Sequence, residues 1–74
     1  MTEIKLHQKI KTCWGFAIKV YPVPIETGNN PKCKIEIDYQ GTKRQGTQVY
    51  KQDRVLHNKI NEIYEAYYHK LMNS

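Results

Sequence analysis

The sequence predicts a small α+β domain: an antiparallel β-meander of three or four strands with one long C-terminal amphipathic helix packed on one face (β-β-β-β-α or β-β-β-α). Three observations carry that expectation. Residues 53–73 place apolar side chains at three- and four-residue steps, residues 33–39 alternate apolar and charged, and the stretches between are short and rich in turn-formers. Seventy-four residues form a single domain, 1–74, with room for one core.

Residues 3–11 alternate, with Ile4, Leu6 and Ile10 on one side, and period two favours a strand. A helix collecting Leu6, Ile10, Cys13, Trp14 and Ala17 is the rival reading. Residues 14–21 form the next strand, pointing Trp14, Phe16, Ile18 and Val20 one way and Ala17, Lys19 and Tyr21 the other. Pro22 and Pro24 are expected to end it, since each removes a ladder donor and restricts its predecessor.

The segment Glu26-Thr-Gly-Asn-Asn-Pro-Lys32 is a loop. Residues 33–39 form the cleanest strand, its odd positions apolar or aromatic and its even positions charged, as suits one face on a core and one in water. A turn around Gln40-Gly41-Thr42 returns the chain as a strand to about Lys51. A three-residue loop there sets Asp38 opposite Arg44, Ile35 opposite Thr47 and Cys33 opposite Val49. An even-length loop places Arg44 on the apolar side, so the first register is favoured.

Asp53 is the N-cap of the helix. Leu56, Ile60, Ile63, Tyr67 and Leu71 form its apolar stripe, and Val55, Tyr64, Tyr68 and Met72 widen it. A chain this short buries only roughly 60–65% of the surface its unfolded form exposes, which makes self-association a source of further burial. Tyr64, Tyr67 and Tyr68 are the candidate homodimer surface, because tyrosine joins apolar area to a hydroxyl that tolerates water.

The formal net charge is +5. Residues 1–11 carry +2 and residues 32–54 carry +3, whereas residues 55–74 balance Lys59 and Lys70 against Glu62 and Glu65. The positive field therefore belongs to the strands and their connections, and the helix is left for packing. No run of eighteen apolar residues and no signal-peptide core is present, so neither a membrane partner nor export is expected. Cys13 and Cys33, with no second pair and no CxxC, do not read as a metal site; one disulfide is open to them but not implied, and two reduced thiols of a cytoplasmic protein are the favoured reading.

No catalytic constellation emerges, and no cofactor or metal is expected. His57 lies four residues after Asp53 and His69 four after Glu65, helix-surface pairs worth roughly 0.2–0.5 kcal/mol each. Gly41 and Gly46 bracket Thr-Lys-Arg-Gln, which is not a phosphate loop of the Walker type. The chain is therefore expected not to be an enzyme.

The candidate binding residues are Lys19, Tyr21, Lys32, Lys34, Lys43, Arg44, Gln48, Tyr50, Lys51 and Arg54. On the open sheet face and its borders, cations neutralise phosphates, amides reach base edges, and tyrosines stack on exposed bases. Glu36 and Asp38 on the same face argue for simple solvation. In order of elements, three strands followed by a helix look like the arm-site-binding domain of tyrosine recombinases, where the sheet enters a DNA major groove. Four strands and a helix resemble single-stranded-DNA-binding transcription coactivators that dimerise through the helix. Both resemblances imply nucleic acid or a nucleoprotein as partner. The alternative is a protein–protein interaction module, such as a phage or mobile-element inhibitor of the anti-CRISPR type, anchored by Tyr21, Tyr39, Arg44 and Tyr50.

Overall fold

A computed structural model describes residues 5–73. The chain runs α1 (Leu6–Gly15), β1 (Ile18–Glu26), β2 (Lys32–Tyr39), β3 (Thr42–Gln45), β4 (Tyr50–Lys51) and α2 (Arg54–Asn73). The four strands form one antiparallel sheet in the order β1-β2-β3, with β4 also pairing β2 beyond the end of β3. This is the antiparallel sheet with a C-terminal helix that the sequence predicts, with one helix added in front.

That first helix corrects the expected N-terminal strand over residues 3–11, of which 3 and 4 lie outside the described residues. Leu6, Ile10 and Cys13 follow at steps of four and three, and Gln8 breaks the alternation a strand needs. The Gln8 side chain accepts the Lys5 amide at 3.2 Å, which satisfies one donor at the helix start. Packing completes the choice. Cys13 is fully buried with its Sγ 3.6 Å from the Tyr64 carbonyl oxygen, and the Lys9 Nζ pairs with Glu65 at 3.4 Å. The helix closes at Ala17, held at φ 60°, where its amide meets the Trp14 carbonyl at 3.0 Å.

The second strand starts at Ile18 instead of Trp14, and it runs through Pro22 and Pro24 to Glu26. Both prolines fit because β1 is an edge strand. The Val20 amide points away from β2 and donates to the Tyr64 hydroxyl at 2.7 Å. Residues 22 and 24 share that outward orientation, so their missing donors leave the β1–β2 ladder intact. The loop expected at 26–32 is narrower, residues 27–31, because Glu26 and Lys32 are ladder partners at the strand ends, and Gly28 sits in it at φ 116°.

The β2–β3 hairpin takes the register the sequence argument disfavours. Its loop has two residues, Gln40 at φ 52° and Gly41 at φ 95°, the paired positive φ of a type I′ turn. Asp38 steadies it by accepting the Gly41 amide at 3.0 Å. Asp38 consequently faces Lys43, and Arg44 faces Ile37. The returning strand is also broken. The Gly46 amide bonds the Ile35 carbonyl at 2.9 Å, residues 46–49 leave the sheet, and β4 rejoins with Tyr50, not Val49, opposite Cys33.

Asp53 caps α2 as expected, its Oδ1 accepting the amides of Val55 at 3.0 Å and Leu56 at 3.3 Å. The buried ridge of α2 is Leu56, Ile60, Tyr64 and Tyr68, while Ile63, Tyr67 and Leu71 are half-buried beside it. Val55 and Met72 stay exposed. This ridge meets Cys13, Ile18, Val20, Cys33 and Ile35 to form the core, and no described element covers the opposite sheet face. Cys13 and Cys33 are buried, free thiols.

Candidate interaction groove beside the sheet edge

The uncovered face of the sheet holds Lys19, Tyr21, Lys32, Lys34, Lys43 and Lys51 of the candidate residues; Lys51 is the ladder partner of Lys32, whose Nζ is 3.9 Å from Glu26. Cross-strand pairing sets Lys19 and Lys43 on either side of Asp38, and Tyr21 and Gln45 on either side of Glu36. The Tyr21 hydroxyl donates to Glu36, and the Gln45 Nε2 reaches the other carboxylate oxygen at 3.4 Å. The hydrogen bond to Glu36, with partial desolvation and the nearby charges of Glu36 and Asp38, pushes the Tyr21 hydroxyl up to about 12. Each central carboxylate thus lies between donors or cations, while Lys34, Lys32 and Lys51 leave the far end of the face positive.

The remaining candidates lie elsewhere. Arg54 is exposed at the first position of α2. Gln48 sits in the 46–49 excursion and accepts the Tyr50 hydroxyl at 2.5 Å, and Tyr50 packs against the core. Arg44, Gln48 and Tyr50 were expected on the open face. The two-residue turn moves Arg44 to the helix side, and the excursion moves the other two. Tyr64 and Tyr68 are likewise no self-association surface, since the protomer's own core buries both. Tyr67 alone of the three stays partly exposed.

On the helix side, the shifted register builds a groove between β3 and the last turns of α2. It has a volume of about 590 Å³ and is lined by Ile18, Ile37, Tyr39, Thr42, Arg44, Tyr67, Lys70 and Leu71. Tyr39 and Tyr67 meet with ring centroids 5.7 Å apart, and the Lys70 Nζ lies 6.0 Å from the Tyr67 ring centre. Ile37 also lines a second hollow of about 430 Å³, shared with Ile35, Gly46, Thr47, Gln48, Tyr50 and Ile63. The two hollows lie along one flank of α2, where Ile63, Tyr67 and Lys70 succeed one another by four and three residues. Among the described residues Arg44, Lys43 and Lys70 form no ion pair. The site is an apolar trough with cations on its rim.

Sequence reasoning singled out Tyr39 and Arg44 as interface anchors and Tyr67 separately, and missed Ile37 and Lys70 as their neighbours. The signal was present. Gln40-Gly41 is a two-residue turn with glycine second, and it fixes a register that carries Arg44 to Tyr67.

The two sheet edges are unequal. Along β1, the Tyr64 hydroxyl occupies the Val20 amide and carbonyl, and Pro22 and Pro24 have no donor. Along β3, all four residues are exposed. The Gly46-to-Ile35 bond fixes residues 42, 44 and 46 as facing β2, so Lys43 and Gln45 turn their amides and carbonyls outward.

Among the described residues no three His, Cys, Asp or Glu side chains gather where they could hold a metal ion, and no helix is long and apolar enough to cross a membrane. No protein-family model, curated protein or solved structure matches the chain.

Proposed function

We propose that this chain is a non-enzymatic protein-binding module whose groove between β3 and α2 receives an acidic, partly apolar element of a partner protein. One observation carries the reading: Arg44, without a carboxylate partner, stands at the mouth of an apolar trough beside the exposed Tyr39 and half-buried Tyr67. Arginine and tyrosine anchor interfaces because each joins contact area to directional polar groups. Lys43 and Lys70 add positive field for an anionic partner. The free thiols of Cys13 and Cys33 suit a reducing compartment such as the cytoplasm.

A fluorescence-anisotropy titration with a labelled peptide repeating Val-Val-Glu-Glu, which sets valine and glutamate on both faces of a strand, tests it, with a Val-Val-Lys-Lys peptide as control. The acidic peptide binds in the micromolar range, the basic one does not, and Arg44→Glu weakens binding at least tenfold with the circular-dichroism spectrum unchanged. Absence of acidic-peptide binding, or indifference to Arg44→Glu, overturns the reading.

Nucleic-acid contact is the second reading, and the unpaired Lys43 and Arg44 on one hairpin favour it. Glu36 and Asp38 at the centre of the open face oppose it there, because a phosphate approaching Lys19 or Lys43 also meets Asp38. Oligonucleotide titrations at two salt concentrations separate the two, since log affinity for nucleic acid falls linearly with log salt.

A further inference from the structure

We infer that the partner binds by strand addition: an extended acidic segment pairs with the outer edge of β3 and lowers alternate side chains into the groove beside Arg44. This rests on the groove reading above and adds the backbone geometry by which the partner is held.

Two observations lead there. Lys43 and Gln45 each turn an unpaired amide and carbonyl outward, while every donor position from Val20 to Pro24 that faces away from β2 is hydrogen-bonded or proline. The sheet therefore has one edge able to accept a strand. The side chains of this edge then decide what the strand must be. Thr42 and Arg44 project to the groove side and Lys43 and Gln45 to the other, so an added strand meets a cation on each face.

A second copy of the chain suits this edge poorly. A two-fold axis normal to the sheet sets one residue of β3 opposite itself. The central choices are Lys43 against Lys43 and Arg44 against Arg44, like charges directly opposed, while centring on Thr42 or Gln45 shortens the overlap. Charge complementarity points instead to a foreign strand carrying carboxylates. Two outward-facing residues supply few hydrogen bonds, so the occupant also needs apolar side chains against Ile37 and Tyr67.

The test compares three labelled peptides on the full chain: the Val-Val-Glu-Glu repeat and two versions N-methylated at alternate residues, one blocking each edge. Charge and side chains are the same in all three. Strand addition requires that one methylated version lose at least tenfold in affinity while the other binds like the parent. A Gln45→Pro variant, which removes an outward amide without touching the β2 ladder, loses binding of the parent peptide to a similar degree. If both methylated versions bind like the parent, strand addition is wrong and the groove reading survives. If the parent itself fails to bind, both fall. A concentration-dependent dimer in sedimentation that the acidic peptide dissolves, or an oligonucleotide that displaces the peptide more tightly than the peptide binds, overturns the choice of a foreign protein strand.

Discussion

The Tyr64 hydroxyl and the Val20 backbone satisfy one another completely: the phenolic oxygen accepts the Val20 amide at 2.7 Å and donates to the Val20 carbonyl at 3.0 Å. The same oxygen accepts the Trp14 indole N–H at 3.0 Å. One side chain of α2 thus ties down the end of α1 and the outer margin of β1.

Replacing Tyr64 with Phe keeps the ring in the core and orphans three polar groups at once. Each buried, unpaired group costs about 1–3 kcal/mol, and Trp14, being half-exposed, recovers its partner from water. Tyr64→Phe is expected to lower stability by about 2–3 kcal/mol, read as a lower urea midpoint with an unchanged slope. A midpoint equal to that of the wild type shows that water replaces the hydroxyl along β1.

Among the described residues, Ala17 and Gln40 are the two outside glycine that sit at positive φ. A left-handed conformation costs an L-residue roughly 1–2 kcal/mol, and glycine avoids most of that at some entropic cost. Ala17→Gly, at an exposed position, is expected to stabilise the domain by about 0.5–1 kcal/mol. Gly41→Ala works in the opposite sense. The added Cβ meets nothing within 4 Å, so the penalty is backbone strain at φ 95°, and a loss of about 1–2 kcal/mol is expected. Thermal denaturation resolves both, since 1 kcal/mol moves the midpoint by roughly 4–8 °C in a domain this small.

The hydrogen bond to Glu36 raises the Tyr21 hydroxyl from 10.0 to about 12, so its protonated form is favoured in the folded state. The stability linked to this group is present in full below the unfolded value and is lost as pH rises through the folded one, between pH 10.0 and about 12. Phenolate absorbance should show Tyr21 ionising late, with Tyr21→Phe deleting that step. Glu36→Gln is expected to bring it back towards 10.0, by removing both the carboxylate acceptor and its charge. A late step that survives Tyr21→Phe belongs to another tyrosine.

Burial pushes the Cys13 thiol up, which disfavours the reactive thiolate. Under native conditions Cys13 and Cys33 are expected to resist a thiol reagent and to label together only as the domain opens. Rapid labelling of Cys13 in the native state, followed by mass spectrometry, contradicts its position between α1 and Tyr64.

The parts legible in the sequence were those where one period dominates. β2 alternates over its whole length, α2 repeats its apolar positions over twenty residues, and Asp53 stands where a cap belongs. The N-terminal helix was ambiguous because Leu6 and Ile10, four residues apart, satisfy both period two and a helical turn. Pro22 and Pro24 end a strand whose donors face a neighbour, and here they face outward, which depends on knowing that β1 is an edge. The hairpin register turned on the premise that Arg44 must avoid the apolar side. That premise fails at the rim, where an arginine can lie over Ile37 and still reach water. The groove was hidden for the same reason, since it exists only in that register.

The unequal margins of the sheet also set how many neighbours the molecule can recruit. A sheet that gains strands on both sides can grow without limit, and this is the route to fibrils. Here Tyr64 and the two prolines stop growth on one side, so anything added along β3 finds the far side shut. In strand pairing the protein has a valence of one: it can cap a foreign sheet, but it cannot carry the stack onward.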